Sequence, residues 1–202
     1  YLDEQDRHSA KGRVNRISYA YDRGGRLCRV TDSTGAVSEY TYNSRGQRTV
    51  VRNKIREDVW QETGYTYSPC GNIIKVAVSA DENGCGRKYA FTTYTYDGNG
   101  NVTGIQLPSG DEIHREYDLC DRITAEHYRE KNGSIDNRIT YHYDKNGNLT
   151  EVRYQDGHTI TMRYDVMDRL VSRTEGRGTT RMTYDLDGKL ISQINPNELQ
   201  AR

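Results

Sequence analysis

Tyr94-Thr95-Tyr96-Asp97-Gly98-Asn99-Gly100-Asn101-Val102 decides how this chain is read, because nearly the same nine positions return as Tyr141-His142-Tyr143-Asp144-Lys145-Asn146-Gly147-Asn148-Leu149. Working outward in both directions, the pattern Tyr-Asp-x-x-Gly-(Arg/Asn)-(Leu/Ile/Val) starts at Tyr21, Tyr42, Tyr67, Tyr96, Tyr117, Tyr143, Tyr164 and Tyr184. The intervals are 21, 25, 29, 21, 26, 21 and 20 residues. A period in that range marks an architecture in which no single repeat can bury its apolar face alone. The fold question becomes a question about one repeat.

The turn inside the repeat can be read closely. A type I turn followed by a left-handed residue that forms a G1 bulge wants Asp or Asn before it and Gly at its end. The position after Tyr is Asp22, Asn43, Ser68, Asp97, Asp118, Asp144, Asp165 and Asp185. The left-handed position is Gly25, Gly46, Gly71, Gly100, Asp121, Gly147, Asp168 and Gly188. Asp tolerates that conformation better than most residues, so the two exceptions still fit. This geometry sets each Tyr across the hairpin from the aliphatic residue, giving Tyr21/Leu27, Tyr67/Ile73, Tyr96/Val102, Tyr117/Ile123, Tyr143/Leu149, Tyr164/Leu170 and Tyr184/Leu190, with Tyr42/Arg48 as the odd pair. On the same face two residues upstream stand Tyr19, Tyr40, Tyr65, Tyr94, Arg115, Tyr141, Met162 and Met182, while the residues between them are mostly polar.

The far half of each hairpin breaks this alternation. Val30, Val51, Val76, Ile105 and Val152 lie nine residues after the Tyr, an odd offset that strict pleating places on the opposite face. A bulge or a strong coil of the sheet is expected there. Through the second turn the expected partners are Val30/Val37, Val51/Trp60, Val76/Phe91 and Val78/Tyr89. The longer intervals are absorbed at that turn, in 53–58, 80–86 and 130–136. About sixteen short antiparallel strands follow, in a single hairpin meander with no substantial helix. At about 4.8 Å per strand a flat sheet would run to about 75 Å, so it is expected to curl strongly and bury its Tyr face. Residues 1–16 form a leading segment, 17–194 the repeat region and 195–202 a trailing segment.

Hydrophobic residues make up only 33% of the chain and charged residues 29%, a composition that leans toward disorder. The 17 tyrosines reverse that reading, since 13 of them stand in the repeat and each ring can bury substantial area while its hydroxyl finds a partner. With 29 basic and 29 acidic residues the net charge is zero, which argues against nucleic acid as a partner. No apolar run is long enough to span a bilayer. The chain opens at Tyr1 without Met or signal peptide and reads as a piece of something longer. Cys28, Cys70, Cys85 and Cys120 show no zinc spacing and are expected to be free thiols.

The repeated unit, clearest at Tyr94 to Val102 and Tyr141 to Leu149, resembles the YD or Rhs repeat, and the likeness runs over 17–194. That family includes bacterial Rhs polymorphic toxins, wall-associated proteins, Tc toxin C components and, more distantly, the teneurins. The resemblance implies a β-sheet strip that spirals into a hollow shell, which in the toxins encloses a variable C-terminal toxin domain. The self-cleaving segment that follows the repeats in the toxins is not recognisable here, nor is a toxin domain. Eight repeats look too few to close a capsule, so the chain resembles a section of wall.

Sites of chemistry are few. Asp97 to Asn101 and Asp144 to Asn148 mimic the start of a calcium loop, but no acidic residue closes either at the twelfth position, and the turn explains the same letters. Of the sequons at Asn101, Asn132 and Asn148, the first and last lie inside the repeat turn and arise from the repeat itself, and all three are read as chance. The histidines at 8, 114, 127, 142 and 158 make no ligand set, and no Ser sits in a nucleophile elbow. No cofactor, metal or catalytic residue is expected. The sharper candidate is Val51, Trp60, Val76, Val78, Tyr89 and Phe91, in which Trp60, Tyr89 and Phe91 would form a ligand or partner surface if exposed and would be core if buried.

The expected role is a non-catalytic shell segment of a large, secreted or surface-located bacterial toxin-like protein. Its partners would be the rest of the parent polypeptide and an enclosed toxin domain. A carbohydrate- or receptor-binding module, using surface Tyr and Trp to hold glycans or a cell-surface receptor, is the alternative. Open edge strands invite self-association or capping by the terminal segments.

Overall fold

The computed structural model describes residues 3–8, 14–57, 59–80, 88–133 and 136–196. The regular structure of residues 3–194 is β-strand, and the strand pairs are antiparallel and sequential. The chain divides into two units, Tyr1–Thr95 with Gln106–Pro108 and Tyr96–Ile105 with Ser109–Arg202. The first carries β1 (Asp3–His8), β2 (Val14–Tyr21), β3 (Leu27–Asp32), β4 (Val37–Tyr42), β5 (Arg48–Arg56), β6 (Val59–Tyr67), β7 (Ile73–Ala80) and β8 (Lys88–Tyr96). The second carries β9 (Val102–Gln106), β10 (Glu112–Tyr117), β11 (Ile123–Arg129), β12 (Asp136–Tyr143), β13 (Leu149–Tyr154), β14 (Thr159–Tyr164), β15 (Leu170–Glu175), β16 (Gly178–Tyr184) and β17 (Leu190–Ile194). These are the expected strands plus β1, which lies in the leading segment and covers the edge of β2 from Asp3↔Tyr19 to His8↔Val14. At the other end every residue of β17 is exposed.

All eight repeats make the expected turn, numbered here 1 to 8 in chain order. In turn 1 the amide of Asp22 donates to the Arg26 carbonyl at 2.8 Å and that of Gly25 to the Asp22 carbonyl at 3.0 Å, and the same two bonds close the other seven. The left-handed position has positive φ in every copy, including 60° at both Asp121 and Asp168. The first residue's side chain secures the turn: Asp22 Oδ1 accepts from the amides of Gly24 and Arg26, both at 2.9 Å. A short polar residue at that position thus satisfies amides that the reversal would otherwise leave bare.

Tyr21↔Leu27, Tyr42↔Arg48, Tyr67↔Ile73, Tyr117↔Ile123, Tyr143↔Leu149, Tyr164↔Leu170 and Tyr184↔Leu190 pair as the turn requires. In each of these hairpins the register then shifts by one, because the next residue of the returning strand is looped out. Ala20 pairs with Arg29 rather than with Cys28. The bulge restores the valines to the tyrosine face, as Tyr19↔Val30, Tyr40↔Val51, Tyr65↔Val76 and Tyr141↔Val152. The apolar face therefore does not switch sides.

The partners expected through the second turn are not formed. Val30 pairs with Ser38, Val51 with Thr63, Val76 with Thr92 and Val78 with Ala90. For Val30 the reason is visible at Asp32-Ser33-Thr34-Gly35, which repeats the geometry of the first turn: the amide of Asp32 bonds to the Ala36 carbonyl at 3.1 Å and Gly35 has φ 87°. Such a turn sets Thr31 opposite Val37. The insertion at 53–58 lengthens two strands rather than a loop, since β5 runs to Arg56 and β6 begins at Val59. The expectations for 80–86 and for Cys85 lie largely outside the described residues, and Cys28, Cys70 and Cys120 are free thiols.

Among the described residues only Val37, Ser79, Gly104, Ala125 and Val152 are buried, so the tyrosine face is half-covered rather than buried as expected. Stability must therefore come from contacts between neighbouring repeats. Six of the repeat tyrosines reach back over the preceding hairpin, where the hydroxyl donates to the carbonyl of the residue paired with that hairpin's own Tyr. These bonds run from Tyr42 to Leu27 at 2.8 Å, Tyr67 to Arg48 at 2.6 Å, Tyr117 to Val102 at 2.8 Å, Tyr143 to Ile123 at 2.9 Å, Tyr164 to Leu149 at 3.0 Å and Tyr184 to Leu170 at 2.8 Å. The acceptor lies beyond the end of the next ladder, since β3 and β4 pair only from Arg29↔Glu39 to Thr31↔Val37. The phenol supplies the donor that the ladder does not.

Candidate binding surface

Alternation along β5 to β8 separates the expected patch. Val51, Val76 and Val78 lie on the tyrosine face, opposite Tyr40, Tyr65 and Thr63. Trp60, Tyr89 and Phe91 stay together on the other face, because Trp60 pairs with Lys54, Tyr89 with Ser79 and Phe91 with Ala77. There the rows Val50–Gly64–Ala77–Phe91 and Arg52–Glu62–Ser79–Tyr89 cross four strands. Gly64 and Ala77 form a low floor, and Phe91 rises at its end.

The rings of Tyr89 and Phe91 lie 6.2 Å apart and 18° from parallel. They are 40% and 44% exposed. Lys75 Nζ sits 3.9 Å from the centre of the Phe91 ring. Trp60 is half-buried under the Arg52 guanidinium, whose carbon is 5.2 Å from the ring centre. Arg52 is itself held between Glu62 at 3.4 Å and Glu39 at 3.8 Å. The Ser79 hydroxyl is 1% exposed and has no hydrogen-bond partner among the described residues. Two open rings, a cation and a fringe of carboxylates suit a ligand with apolar and polar sides.

A second set of contacts, absent from the sequence reading, links one turn to the next. The residue after the left-handed position decides the kind. Where it is Arg, its guanidinium clamps the Asp of its own turn and covers the next Tyr. Arg26 lies 2.7 Å from Asp22 Oδ2 and 5.0 Å from the Tyr42 ring centre, Arg122 is 2.6 Å from Asp118 and 4.5 Å from Tyr143, and Arg169 is 2.7 Å from Asp165 and 4.9 Å from Tyr184. Asp22 and Asp118 are held below the usual carboxylate range by those arginine bonds.

At Asn101 and Asn148 the bond goes instead to the next turn's left-handed Asp. Asn99 and Asn101 both donate to Asp121 Oδ1, at 2.9 and 2.7 Å, and Asn146 and Asn148 both donate to Asp168 Oδ1, at 2.8 and 2.7 Å. The two aspartates that replace glycine are thus acceptors for the turn before them. The signal was present in the sequence, since each Asn-Gly-Asn turn is followed by an Asp-x-x-Asp turn. These oxygens and amides, which resembled half a calcium loop, are occupied with one another, and among the described residues no three His, Cys, Asp or Glu side chains are placed to hold a metal ion.

On the tyrosine face of the second unit one charged pair lies across two strands. Arg115 and Glu126 stand where other repeats have Tyr and Val, paired across β10 and β11 with Arg115 Nε donating to Glu126 Oε1 at 2.7 Å. The hydroxyl of Tyr141 donates to Glu126 Oε2 at 2.8 Å. Desolvation pushes the Glu126 carboxyl up, but the bonds from Arg115 and Tyr141 outweigh it and leave it below its ordinary value. Burial, reinforced by Glu126, pushes the Tyr141 phenol well up. At Tyr42↔Arg48 the guanidinium lies over the Tyr40 ring at 4.5 Å, so a cation–π contact replaces the missing aliphatic one.

The RHS repeat family model matches residues 96–132 and 143–180. No curated protein matches the chain. Among solved structures the chain is similar to TcdB2-TccC3-Cdc42, with a TM-score of 0.62 and 14% identity over 95% of this chain and 12% of that one. It is also similar to a Photorhabdus luminescens Tc holotoxin pore carrying a mutated TccC3, with a TM-score of 0.62 and 15% identity over 92% of this chain and 12% of that one. TcdB2-TccC3 without its hypervariable C-terminal region gives a TM-score of 0.60 and 13% identity over 96% of this chain and 14% of that one. The chain therefore spans about an eighth of each of these proteins, and the likeness concerns the fold. Residues 96–132 and 143–180 thus match the RHS repeat, and one hairpin geometry is common to all eight turns.

Proposed function

We propose that the chain is a non-catalytic stretch of shell wall in a large secreted or surface-located protein of toxin type, where it helps to enclose or display a C-terminal effector. The observation that carries this reading is the hydroxyl-to-carbonyl bond made six times between successive repeats. It makes each repeat a building element whose stability depends on its neighbours rather than a domain around its own core. Its partners in this reading are the rest of the parent polypeptide and the effector. The test is protease protection of the effector within the parent protein. Cleavage as fast as that of the effector alone would reject enclosure.

A second reading is favoured by one observation: Tyr89 and Phe91 are exposed and nearly parallel beside Lys75. On that reading the face is a glycan- or receptor-binding platform with Trp60 as its third ring. Screening on a glycan array, with Trp60→Ala and Phe91→Ala as controls, tests it. An array without signal, or one whose signal both variants retain, would remove the platform.

A further inference from the structure

We propose that the turn edge of the second unit docks a basic amphipathic α-helix of a partner polypeptide. Turns 5, 7 and 8 hold Leu119, Val166, Met167 and Leu186 in solvent, with relative exposures of 103%, 99%, 66% and 102%. At such exposure these side chains contribute no packing to the fold, although the turn accepts polar residues at the same positions, as Arg23, Ser44, Arg45, Lys145 and Asn146 show. Four large aliphatic groups along one edge are an unfavourable surface for water and a favourable one for an apolar partner.

Charge chooses the partner. Each apolar tip is framed by two aspartates, Asp118 and Asp121, Asp165 and Asp168, or Asp185 and Asp187, against the single cations Arg122, Arg169 and Lys189. Arg122 and Arg169 are already clamped to Asp118 and Asp165. The outward charge left at these turns is negative, so a basic partner is complementary and an anionic bilayer is not.

Spacing chooses its shape. Successive turns are two strands apart, about 9.6 Å, and seven residues of α-helix rise about 10.5 Å. A helix with Leu at heptad positions can therefore set one Leu beside each tip, with Lys between them meeting the carboxylates. Turn 6 interrupts the row with Lys145-Asn146, so the contact is strongest over turns 7 and 8. The assignment is independent of the wall reading, because it concerns side chains that the wall does not use.

The test measures binding of a fluorescent Leu/Lys helix, about three heptads long, to the whole 202-residue chain by anisotropy. Saturable binding is expected, weakened at least about tenfold in Leu119→Ser/Leu186→Ser and made less salt-sensitive in Asp187→Asn. The variants should keep the wild-type circular dichroism and urea midpoint, so a loss of binding cannot be a loss of fold. No binding of the helix, unchanged affinity in the double variant, equal binding of a Leu/Glu helix, or binding to anionic vesicles in place of the peptide would each overturn the proposal.

Discussion

The turn edges of the two units share one skeleton and carry different chemistry. In the first, turn 1 bears Arg23 and Arg26 against Asp22, and turn 2 bears Arg45 with no acid, so both are basic. In the second, turns 5, 7 and 8 each have two aspartates and one cation, with aliphatic tips. The faces differ as well. The first unit's tyrosine face is uniform, with Tyr19↔Val30, Tyr40↔Val51 and Tyr65↔Val76, whereas the second has Arg115↔Glu126 and Met162↔Arg173 at the same positions. Tyr, the turn's first residue and the left-handed residue make the hairpin in both units. What varies are the positions that the backbone leaves free, and these are where neighbour choice and partner choice are written.

The largest effects test whether the two units share one mechanism of cohesion. Tyr42→Ala and Tyr164→Ala should each cost about 3 kcal/mol in urea unfolding, for the ring and its hydroxyl bond together. The corresponding Phe variants should cost about 1 kcal/mol, because the carbonyls of Leu27 and Leu149 lose their donor. Equal losses in both units support equivalent rungs, and a clear inequality would break the comparison. Next comes the charged pair. Glu126→Val should cost about 2 kcal/mol by stranding Arg115 on the tyrosine face, a value discounted because a quarter of each side chain remains in water. Adding Arg115→Tyr should recover most of that loss, since it rebuilds the pair used in the first unit.

A smaller effect isolates the turn code. Gly46→Asp should cost about 1 kcal/mol, since φ is 78° there and turn 1 offers no Asn donors, although nothing stands within 4 Å of the new Cβ. In a Gly24→Asn/Arg26→Asn background the same substitution should become nearly neutral. A persistent penalty would show that Asp121 and Asp168 are tolerated rather than selected by their neighbours. The smallest and most gradual effect is alkaline. Burial raises the phenols of Tyr141, Tyr143 and Tyr164, so their contribution is complete below about pH 10 and is lost as pH rises from there through the raised values. Urea midpoints taken alongside phenolate absorbance should fall together above that pH. A midpoint that holds while the phenols ionise would contradict burial as the cause.

The near half of every hairpin was legible because Asp-x-x-Gly constrains backbone conformation directly, and the cross-strand Tyr pairs follow from it. The far half was misread for two physical reasons. Asp32 to Gly35 repeats that turn at the far end of its hairpin, which moves the partner of Val30 by one residue. The bulge has no letter of its own, since all but Cys28 among Cys28, Thr49, Ile74, Thr124, Thr150, Val171 and Ile191 are β-branched, which is what any strand position favours. At the candidate surface the three aromatic positions were visible in the sequence. Their separation from the valines was not, because it depends on that register. Lys75 and Arg52 acquire their places above the rings only through pairing across strands.

The tyrosine bond also has a direction in time. In every described case the donor belongs to the later hairpin and the acceptor carbonyl to the earlier one. A ribosome delivers the acceptor first. Each hairpin that emerges meets a finished ledge on its predecessor and needs nothing that is still unmade, so the strip can close during synthesis one tooth at a time. The same asymmetry makes the growing end, rather than the start, the place where a stalled chain is incomplete.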